Sequence, residues 1–283
     1  MNTQQTLDKA VSAAKITPEN YTFLQSRIYN DSGIVLDETK HYLIESRLLP
    51  IVRRENLGTL NDLCALLRAT QSTPLHRQIV EALTTNETLF FRDLAVFDAL
   101  RDHVLPEVVA RQRTARRIDF WSAASSSGQE AYSLAMLLLE AGLGTWTIRI
   151  VGTDLNQQMV DRAQSGLYTQ LEVNRGLPAK YLVKYFQRKG LEWQAKEELR
   201  RMVHFQTFDL RQSMRSLGLF DLVFCRNVLI YFDVPTKKRI LGEIRNILNR
   251  NGLLLLGAAE TTLNLDDRFA RRVIGQATFY EVN

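Results

Sequence analysis

Between residues 17 and 90, apolar positions recur at the three- and four-residue spacing of amphipathic helices. Thr17 followed by Pro18 is typical of a helix N-terminus, and Gly33 is placed to end that first helix. Further helices are predicted after Asp37, where Pro50 is expected to kink or split the helix, and over 60–68 and 75–83. No alternation with a period of two precedes residue 115, so this part is predicted to be all-helical.

From residue 117 onward, short apolar runs alternate with helical segments, a pattern typical of a parallel sheet covered on both faces. The predicted strands are 118–121, 148–152, 203–205, 222–225 and 253–257. The predicted helices of this part are 130–140, 157–165 and 236–249. Two final strands, 271–274 and 278–282, are joined by a short turn and predict an antiparallel hairpin at the sheet edge.

These patterns predict an α/β protein with a small N-terminal all-helical domain and a larger doubly wound, Rossmann-like domain. The predicted divisions are a polar tail (1–16), the helical domain (17–90), a linker helix (91–116) and the larger domain (117–283). A long segment between the second and third strands, 166–201, is predicted to form a small inserted subdomain.

The net charge of +5 is unevenly distributed, because residues 1–90 carry nine Lys and Arg against ten Asp and Glu. The basic excess therefore lies in the larger domain, where it includes a cluster at Arg111, Arg113, Arg116 and Arg117. Such a cluster is typical either of a solvated linker or of a surface for an acidic partner such as nucleic acid.

The remaining composition argues against several classes of protein. No apolar stretch approaches the roughly 20 residues that cross a bilayer, and residues 1–15 lack the features of a secretory signal, so we expect a cytoplasmic protein. Cys64 and Cys225 lie far apart and are expected to be reduced core residues. The four histidines are isolated in sequence, so no metal site is expected.

Small or polar residues follow three of the predicted strands, where ligands bind in open parallel sheets. The first strand runs into a loop of small residues, 122–128, that a ligand can approach closely. This loop contains one glycine, whereas the dinucleotide-binding fingerprint G-x-G-x-x-G contains three. Asp154 ends the second strand. An acid at this position either binds ribose hydroxyls or caps the following helix. Arg226 and Asn227 follow the fourth strand.

Four stretches together resemble the chemotaxis receptor methyltransferases, the CheR family. They are TTNETLFFRD at 84–93, FWSAASSSGQEAYSLAM at 120–136, VGTDLN at 151–156 and FDLVFCRNVLIYFD at 220–233. The resemblance implies a helical domain followed by a seven-stranded methyltransferase domain with an inserted antiparallel subdomain. It also implies that the protein transfers a methyl group from S-adenosylmethionine to glutamate side chains of chemoreceptors, leaving S-adenosylhomocysteine.

The resemblance further implies which residues meet the cofactor and the substrate. The implied cofactor-binding residues are Asn86, Thr88 and Arg92 at the methionine end, Glu130 at the amino group, Asp154 at the ribose, Asp209 and Leu210 at the adenine, and Arg226 and Asn227 at the mouth of the site. Tyr231 and Arg92 are the implied catalytic pair, which would orient the incoming carboxylate. The family more often has asparagine at the position of Asp209 and glutamate at that of Gln129.

Each assignment has a structural alternative. Arg92 could form a salt bridge between domains, Glu130 could be a helix-start acid, and Tyr231 could be a core residue. Arg47 and Arg54, seven residues apart on one helix face, are expected to meet acidic receptor helices, or else are solvated.

Two functional alternatives remain beside receptor methylation. A nucleic-acid methyltransferase would carry an Asn/Asp-Pro-Pro-aromatic signature after the fourth strand, where this chain has Arg226 and Asn227. A non-enzymatic binding module would lack cofactor residues, and here they are present. We expect a metal-independent monomer that neither binds nucleic acid nor inserts into membranes. The short stretch 187–194 favours methylation without docking on a receptor tail.

Overall fold

The computed structural model describes residues 15–70 and 73–283, and its backbone contacts divide the chain into two units. The first unit runs to Thr85 and takes in the short segment Tyr231–Asp233. The second comprises Asn86–Ile230 and Val234–Asn283. Most of the predicted polar tail, residues 1–14, lies outside the described residues.

The described part of the first unit is helical. Thr17 caps the first helix by accepting a hydrogen bond from Asn20 N (3.3 Å), and Gly33 ends it with φ at 75°, as predicted. Asp37 caps a short 3₁₀ turn, accepting a hydrogen bond from Thr39 N (2.9 Å). The α-helices are α1 (Pro18–Ser32), α2 (His41–Arg54), α3 (Leu60–Ala69) and α4 (Thr73–Leu83), and the 3₁₀ turn is Glu38–Lys40.

Helix α2 passes through Pro50 without interruption, so of the two effects predicted for this proline, a kink or a split, the split does not occur. Proline removes one helical hydrogen bond. The helix nevertheless buries Ile44, Leu48 and Val52 completely in the core of this unit. Burial of large aliphatic side chains contributes about 1.5–3 kcal/mol each, which offsets the missing hydrogen bond.

The second unit contains a seven-stranded sheet in the order β6-β2-β1-β7-β8-β10-β9. β1 is parallel to β2 and β7, whereas β10 is antiparallel to β8 and β9. This arrangement confirms the predicted fold class and the C-terminal hairpin. The strands are β1 (Arg117–Ala123), β2 (Thr147–Asp154), β6 (Val203–Thr207), β7 (Phe220–Cys225), β8 (Leu248–Leu256), β9 (Phe269–Ile274) and β10 (Ala277–Val282).

Helices cover the sheet at positions close to those predicted. They are α5 (Leu94–Ala99), a π-helical turn (Leu100–Val104), α6 (Leu105–Arg111), α7 (Gln129–Glu140), α8 (Gln157–Ser165) and α12 (Val234–Asn246). The prediction that the last of these extends to residue 249 is wrong. Leu248 instead pairs with Phe220 in the sheet, because backbone pairing between strands overrides the local helical pattern.

The segment between α8 and β6 forms a separate three-stranded antiparallel sheet in the order β3-β5-β4. A two-residue turn, Gly190 and Leu191, joins β4 to β5, and Gly190 has the positive φ (62°) that such turns require. Its elements are β3 (Leu167–Tyr168), α9 (Gln170–Asn174), α10 (Ala179–Tyr185), β4 (Phe186–Lys189), β5 (Glu192–Ala195) and α11 (Glu197–Arg200). The short stretch 187–194 thus forms a complete hairpin.

The core of the second unit lies between the main sheet and its helices. Two glycines are needed there because of one aromatic ring. A Cβ atom on Gly152 would lie 2.4 Å from Phe205 Cδ1, and one on Gly128 would lie 2.8 Å from Phe205 Cζ. The single glycine of the 122–128 loop therefore serves close packing at the start of α7.

Three arginines of the basic cluster make contacts within their own unit. Arg111 donates to Asn251 O (2.8 Å), and Arg116 donates to Thr145 Oγ1 (2.7 Å). Arg117 forms an ion pair with Asp119 (2.7 Å). These three arginines thus have partners within the unit and also remain exposed to solvent. Within the described residues, no helix is both long and apolar enough to cross a membrane.

Candidate active site at the carboxyl ends of three strands

The loops that follow β1, β2 and β7 meet at one edge of the sheet because these strands are neighbours and parallel. In the loop after β1, Ser125 N donates to Thr153 O (2.8 Å), and Ser126 N donates to the Asp154 carboxylate (2.8 Å). Ala124 and Ser126 both have positive φ, 53° and 49°. Such strained conformations persist only where the surroundings hold them, and they cluster at functional sites.

Asp154 is buried, with 7% of its surface exposed, and it links two loops rather than capping a helix. Its second carboxylate oxygen accepts from Asn156 N (2.9 Å). The cap of α8 is Asn156, whose side chain accepts from the N–H groups of Gln158 and Met159. The helix-cap alternative for Asp154 is therefore wrong. Burial raises the pKa of Asp154, although hydrogen bonds from the surrounding backbone oppose that shift.

Glu130, in the first turn of α7, is held from two sides. Ser122 Oγ donates to one carboxylate oxygen (2.7 Å), and Arg226 Nη1 donates to the other (3.0 Å). The Arg226 side chain is 2% exposed; it also pairs with the Asp93 carboxylate and donates to Arg92 O (3.2 Å). Arg226 therefore ties Glu130 to the segment that carries Arg92.

The segment 86–93 lies against the loop after β1 and against α7. Ser126 Oγ donates to Asn86 O (2.8 Å), and Phe91 N donates to Ser133 Oγ (3.0 Å). These contacts bring Asn86, half-buried Thr88 and Arg92 to the same edge as Glu130 and Asp154. Arg92 itself donates one hydrogen bond in the described structure, to Glu87 O (3.3 Å).

Other predicted residues lie nearby with partners of their own. Asp209 forms a close ion pair with Arg211 (2.7 Å), and Leu210 is buried beside it. Gln129 is buried and accepts a hydrogen bond from Ser127 Oγ (2.9 Å), so it braces the loop after β1. From sequence, Gln129 was only a departure from the pattern of the family that the chain resembles.

Tyr231, Arg47 and Arg54 belong to the first unit. Tyr231 is partly buried and packs against the core of the helical unit, which agrees with the alternative that it is a core residue. Its backbone carbonyl accepts a hydrogen bond from Val35 N (2.9 Å). Arg47 donates hydrogen bonds to Leu83 O and Thr84 O (both 2.9 Å) at the C-terminal end of α4. A cation at this end of a helix is stabilising, because the carbonyl end carries partial negative charge.

Arg54 lies on the same face of α2 as Arg47 and likewise reaches α4, donating to Gln78. Its side chain remains 53% exposed. The two arginines therefore share a face, as predicted, but Arg47 has a structural function there. Their contact with receptors stays a prediction.

Sequence reasoning missed Glu260, which follows β8. Its carboxylate accepts hydrogen bonds from the backbone N–H groups of Asn227, Val228, Leu229, Ile230 and Gly257, at 2.7–3.3 Å. The one available signal was its position, since an acid shortly after a strand of a parallel sheet lies at the ligand-binding edge.

Two buried oxygens at this edge have no hydrogen-bond partner among the described residues, Ser125 Oγ and Asn227 Oδ1. Buried polar atoms are nearly always paired, and these two are available to form hydrogen bonds with a polar ligand or water. Together with the carboxylates of Glu130 and Asp154 they suit a ligand that carries an amino group and sugar hydroxyls, and S-adenosylmethionine has both. The described residues contain no group of three or more His, Cys, Asp or Glu side chains placed to hold a metal ion.

This seven-stranded sheet, with its final strand antiparallel and its polar loops after β1, β2 and β7, defines the class of S-adenosylmethionine-dependent methyltransferases. Two family models match the chain: the CheR methyltransferase all-alpha domain over residues 19–84 and the CheR methyltransferase SAM binding domain over residues 86–277. The chain belongs to the CheR methyltransferase family.

Several relatives match nearly the whole chain. The chain is 41% identical to "Chemotaxis protein methyltransferase Cher2" of Pseudomonas putida, over 88% of this chain and 94% of that protein. It is 42% identical to "Chemotaxis protein methyltransferase 1" of Pseudomonas aeruginosa, over 84% of this chain and 88% of that protein. A "Chemotaxis protein methyltransferase" of Vibrio parahaemolyticus is 39% identical, over 92% of this chain and 95% of that protein.

Proposed function

We propose that the protein esterifies glutamate side chains of bacterial chemoreceptors, using S-adenosylmethionine as the methyl donor. The observation that carries this proposal is the match of both domains to one family whose near-full-length relatives are named chemotaxis protein methyltransferases. The site at the sheet edge supports it, because its carboxylates and unpaired oxygens suit the cofactor.

Bound there, S-adenosylmethionine supplies an electrophilic methyl group. In this proposal Glu130 binds its amino group, Asp154 its ribose hydroxyls, and Arg92, with Asn86 and Thr88, its methionine carboxylate. A guanidinium can pair with a carboxylate through two parallel hydrogen bonds, which fixes orientation as well as charge. Asp209 and Leu210 would border the adenine, and Arg226 and Asn227 would line the mouth of the site.

The transfer needs little chemistry from the protein. A glutamate carboxylate has a reference pKa of about 4.3 and is already ionised at neutral pH, so no general base is required. What the protein contributes is orientation and the exclusion of water, and holding reactants in line can supply about 7–11 kcal/mol. Arg92 and Tyr231 are the residues proposed to orient the incoming carboxylate. The reaction is expected to proceed without a metal.

The expected setting is the cytoplasm, with a monomeric enzyme acting on the cytoplasmic domains of the receptors. Arg54 is more exposed than Arg47 and is the better candidate of the two for contact with acidic receptor helices. We further propose that docking on a receptor tail is not needed. A receptor lacking its C-terminal tail should then be methylated at an undiminished rate.

The product tests the proposed reaction. Purified protein is incubated with methyl-labelled cofactor and receptor-containing membranes, and the labelled bands are treated with mild base. A glutamate methyl ester hydrolyses and releases volatile methanol, whereas N-methyl and C-methyl groups on nucleic-acid bases survive. Chelator added to half of each sample tests metal independence. Alkali-stable label, or label in RNA and none in receptors, would contradict the proposal.

A further inference from the structure

The turn after β7 is built around the carboxylate of Glu260. Glu260 Oε1 accepts from the N–H groups of Val228 (2.9 Å), Leu229 (2.7 Å) and Ile230 (3.3 Å), while Oε2 accepts from Asn227 N and Gly257 N, both at 2.7 Å. Four consecutive backbone donors, 227–230, therefore point at one side chain that lies about thirty residues further along the chain.

Consecutive N–H groups that converge in this way form a concave anion-binding nest. The conformation depends on Asn227, whose φ is 58°, in the left-handed region that non-glycine residues rarely adopt. Without an anion the four donors would face one another unpaired, and the turn would relax toward a conformation in which each finds another acceptor. Glu260 is thus the group that keeps Asn227 in its observed conformation.

The same turn carries two features of the candidate cofactor site. Arg226, which holds Glu130 at 3.0 Å, is the residue directly before it, and Asn227 contributes one of the unpaired buried oxygens. Gly257 closes the turn from the other side. A Cβ atom there would lie 2.7 Å from Glu260 Oε2 and 2.8 Å from Asn227 N.

We propose that Glu260 is a positioning residue of the cofactor site, which acts by holding the backbone of Arg226 and Asn227 rather than by touching the ligand. The inference rests on the proposed function only in placing the cofactor beside these two residues. A carboxylate is required because all five contacts are donors, and an amide presents one acceptor and one donor group.

The test uses full-length protein and calorimetric titration with S-adenosylhomocysteine, with melting temperatures measured without ligand. Glu260→Gln directs an NH₂ group at two or three N–H donors, although its shape is nearly unchanged. Gly257→Ala displaces the same carboxylate while all its charges are kept. Asp266→Asn is the matched control, because Asp266 also follows β8 and is buried, but it pairs with Arg245 (3.3 Å) and Arg268 (2.8 Å).

We expect affinity for S-adenosylhomocysteine to fall at least tenfold in Glu260→Gln and in Gly257→Ala, and to change less than threefold in Asp266→Asn. Titrations are run well below the lowest melting temperature of the set. Wild-type affinity in Glu260→Gln, or an equal loss in all three variants, would overturn the proposal. If Glu260→Gln does not fold, Gly257→Ala decides by the same criterion.

This measurement is independent of the receptor. A wild-type protein that binds S-adenosylhomocysteine but forms no receptor ester would refute the proposed substrate and leave the function of Glu260 standing. Conversely, ester formation with undiminished cofactor affinity in Glu260→Gln and Gly257→Ala would refute the positioning inference alone.

Discussion

Replacing Asp154 tests the cofactor site and the loop geometry together. Asp154→Ala removes the acceptor of two buried backbone donors, Ser126 N at 2.8 Å and Asn156 N at 2.9 Å. A buried donor left unsatisfied costs about 1–3 kcal/mol, so we expect the free energy of unfolding to fall by roughly 2–6 kcal/mol. Loss of one charge-assisted ribose contact would weaken cofactor binding by about 1.5–3 kcal/mol, roughly ten- to a hundredfold.

Asp154→Asn separates the two effects, since it keeps one acceptor oxygen and should destabilise the fold less than alanine does. Urea unfolding measures stability, and calorimetric titration with S-adenosylhomocysteine measures affinity. Asp161→Asn is the control, because Asp161 is an exposed carboxylate on α8 and should shift stability by no more than about 0.5 kcal/mol. Unchanged stability and unchanged affinity in Asp154→Ala would refute both the contact and the assignment.

The pH dependence of stability gives an independent check on Asp154. Burial raises the pKa of Asp154 in the folded protein above its ordinary value, so the folded state binds the proton more tightly than the unfolded state. Stability from this group is then present at low pH and is lost as the pH rises from 3.8 to the folded-state pKa. Between pH 4 and pH 7 the wild type should therefore lose stability relative to Asp154→Asn. A wild-type stability that stays constant or rises relative to that of Asp154→Asn over this pH range would contradict the raised pKa of Asp154.

Three further predictions concern catalysis, receptor docking and the stability of the helical unit. The variants Arg92→Ala and Tyr231→Phe should have melting temperatures close to that of the wild type but transfer methyl groups more slowly, and the loss of rate should be larger in Arg92→Ala. Full activity per folded molecule in both variants would refute their assignment to the active site. Arg54→Glu should weaken receptor methylation at low salt, leave S-adenosylhomocysteine affinity unchanged, and lose its effect toward 1 M salt, where the Debye length falls to about 3 Å. Arg47→Glu should in addition lower the melting temperature, because it loses its contacts with Leu83 O and Thr84 O; a wild-type melt would refute that function.

Local patterns in the sequence were sufficient to predict the class of fold. Apolar runs marked the central strands β1 and β7 and the second half of β8, because strands buried on both faces must be largely apolar along their length. Thr17 and Gly33 marked the ends of the first helix for a local reason as well, since capping depends on residues three or four positions apart. The strand ends also showed Asp154 and Arg226 as candidates, because that edge is where parallel sheets bind ligands.

Contacts between distant residues were beyond such patterns. The hydrogen bond from Asn227 N to Glu260 joins residues 33 positions apart, and the ion pair of Arg226 with Asp93 joins residues 133 positions apart. The periodicity of apolar residues in the sequence predicts neither of these two contacts. A helix cap was one of the two alternatives for Asp154 from sequence, because Asp and Asn are both common caps; the actual cap is Asn156, two residues further on.

The sequence by itself therefore determined the order of the elements, the α/β class and, through four motifs, the family. Only the tertiary structure decided which polar groups hold one another: Glu130 with Ser122 and Arg226, and the turn after β7 with Glu260. The physical reason is that helical periodicity, helix capping and the apolar runs of buried strands are properties of neighbouring residues along the chain. The pairing of a buried charge depends instead on which groups folding brings within about 3 Å of it.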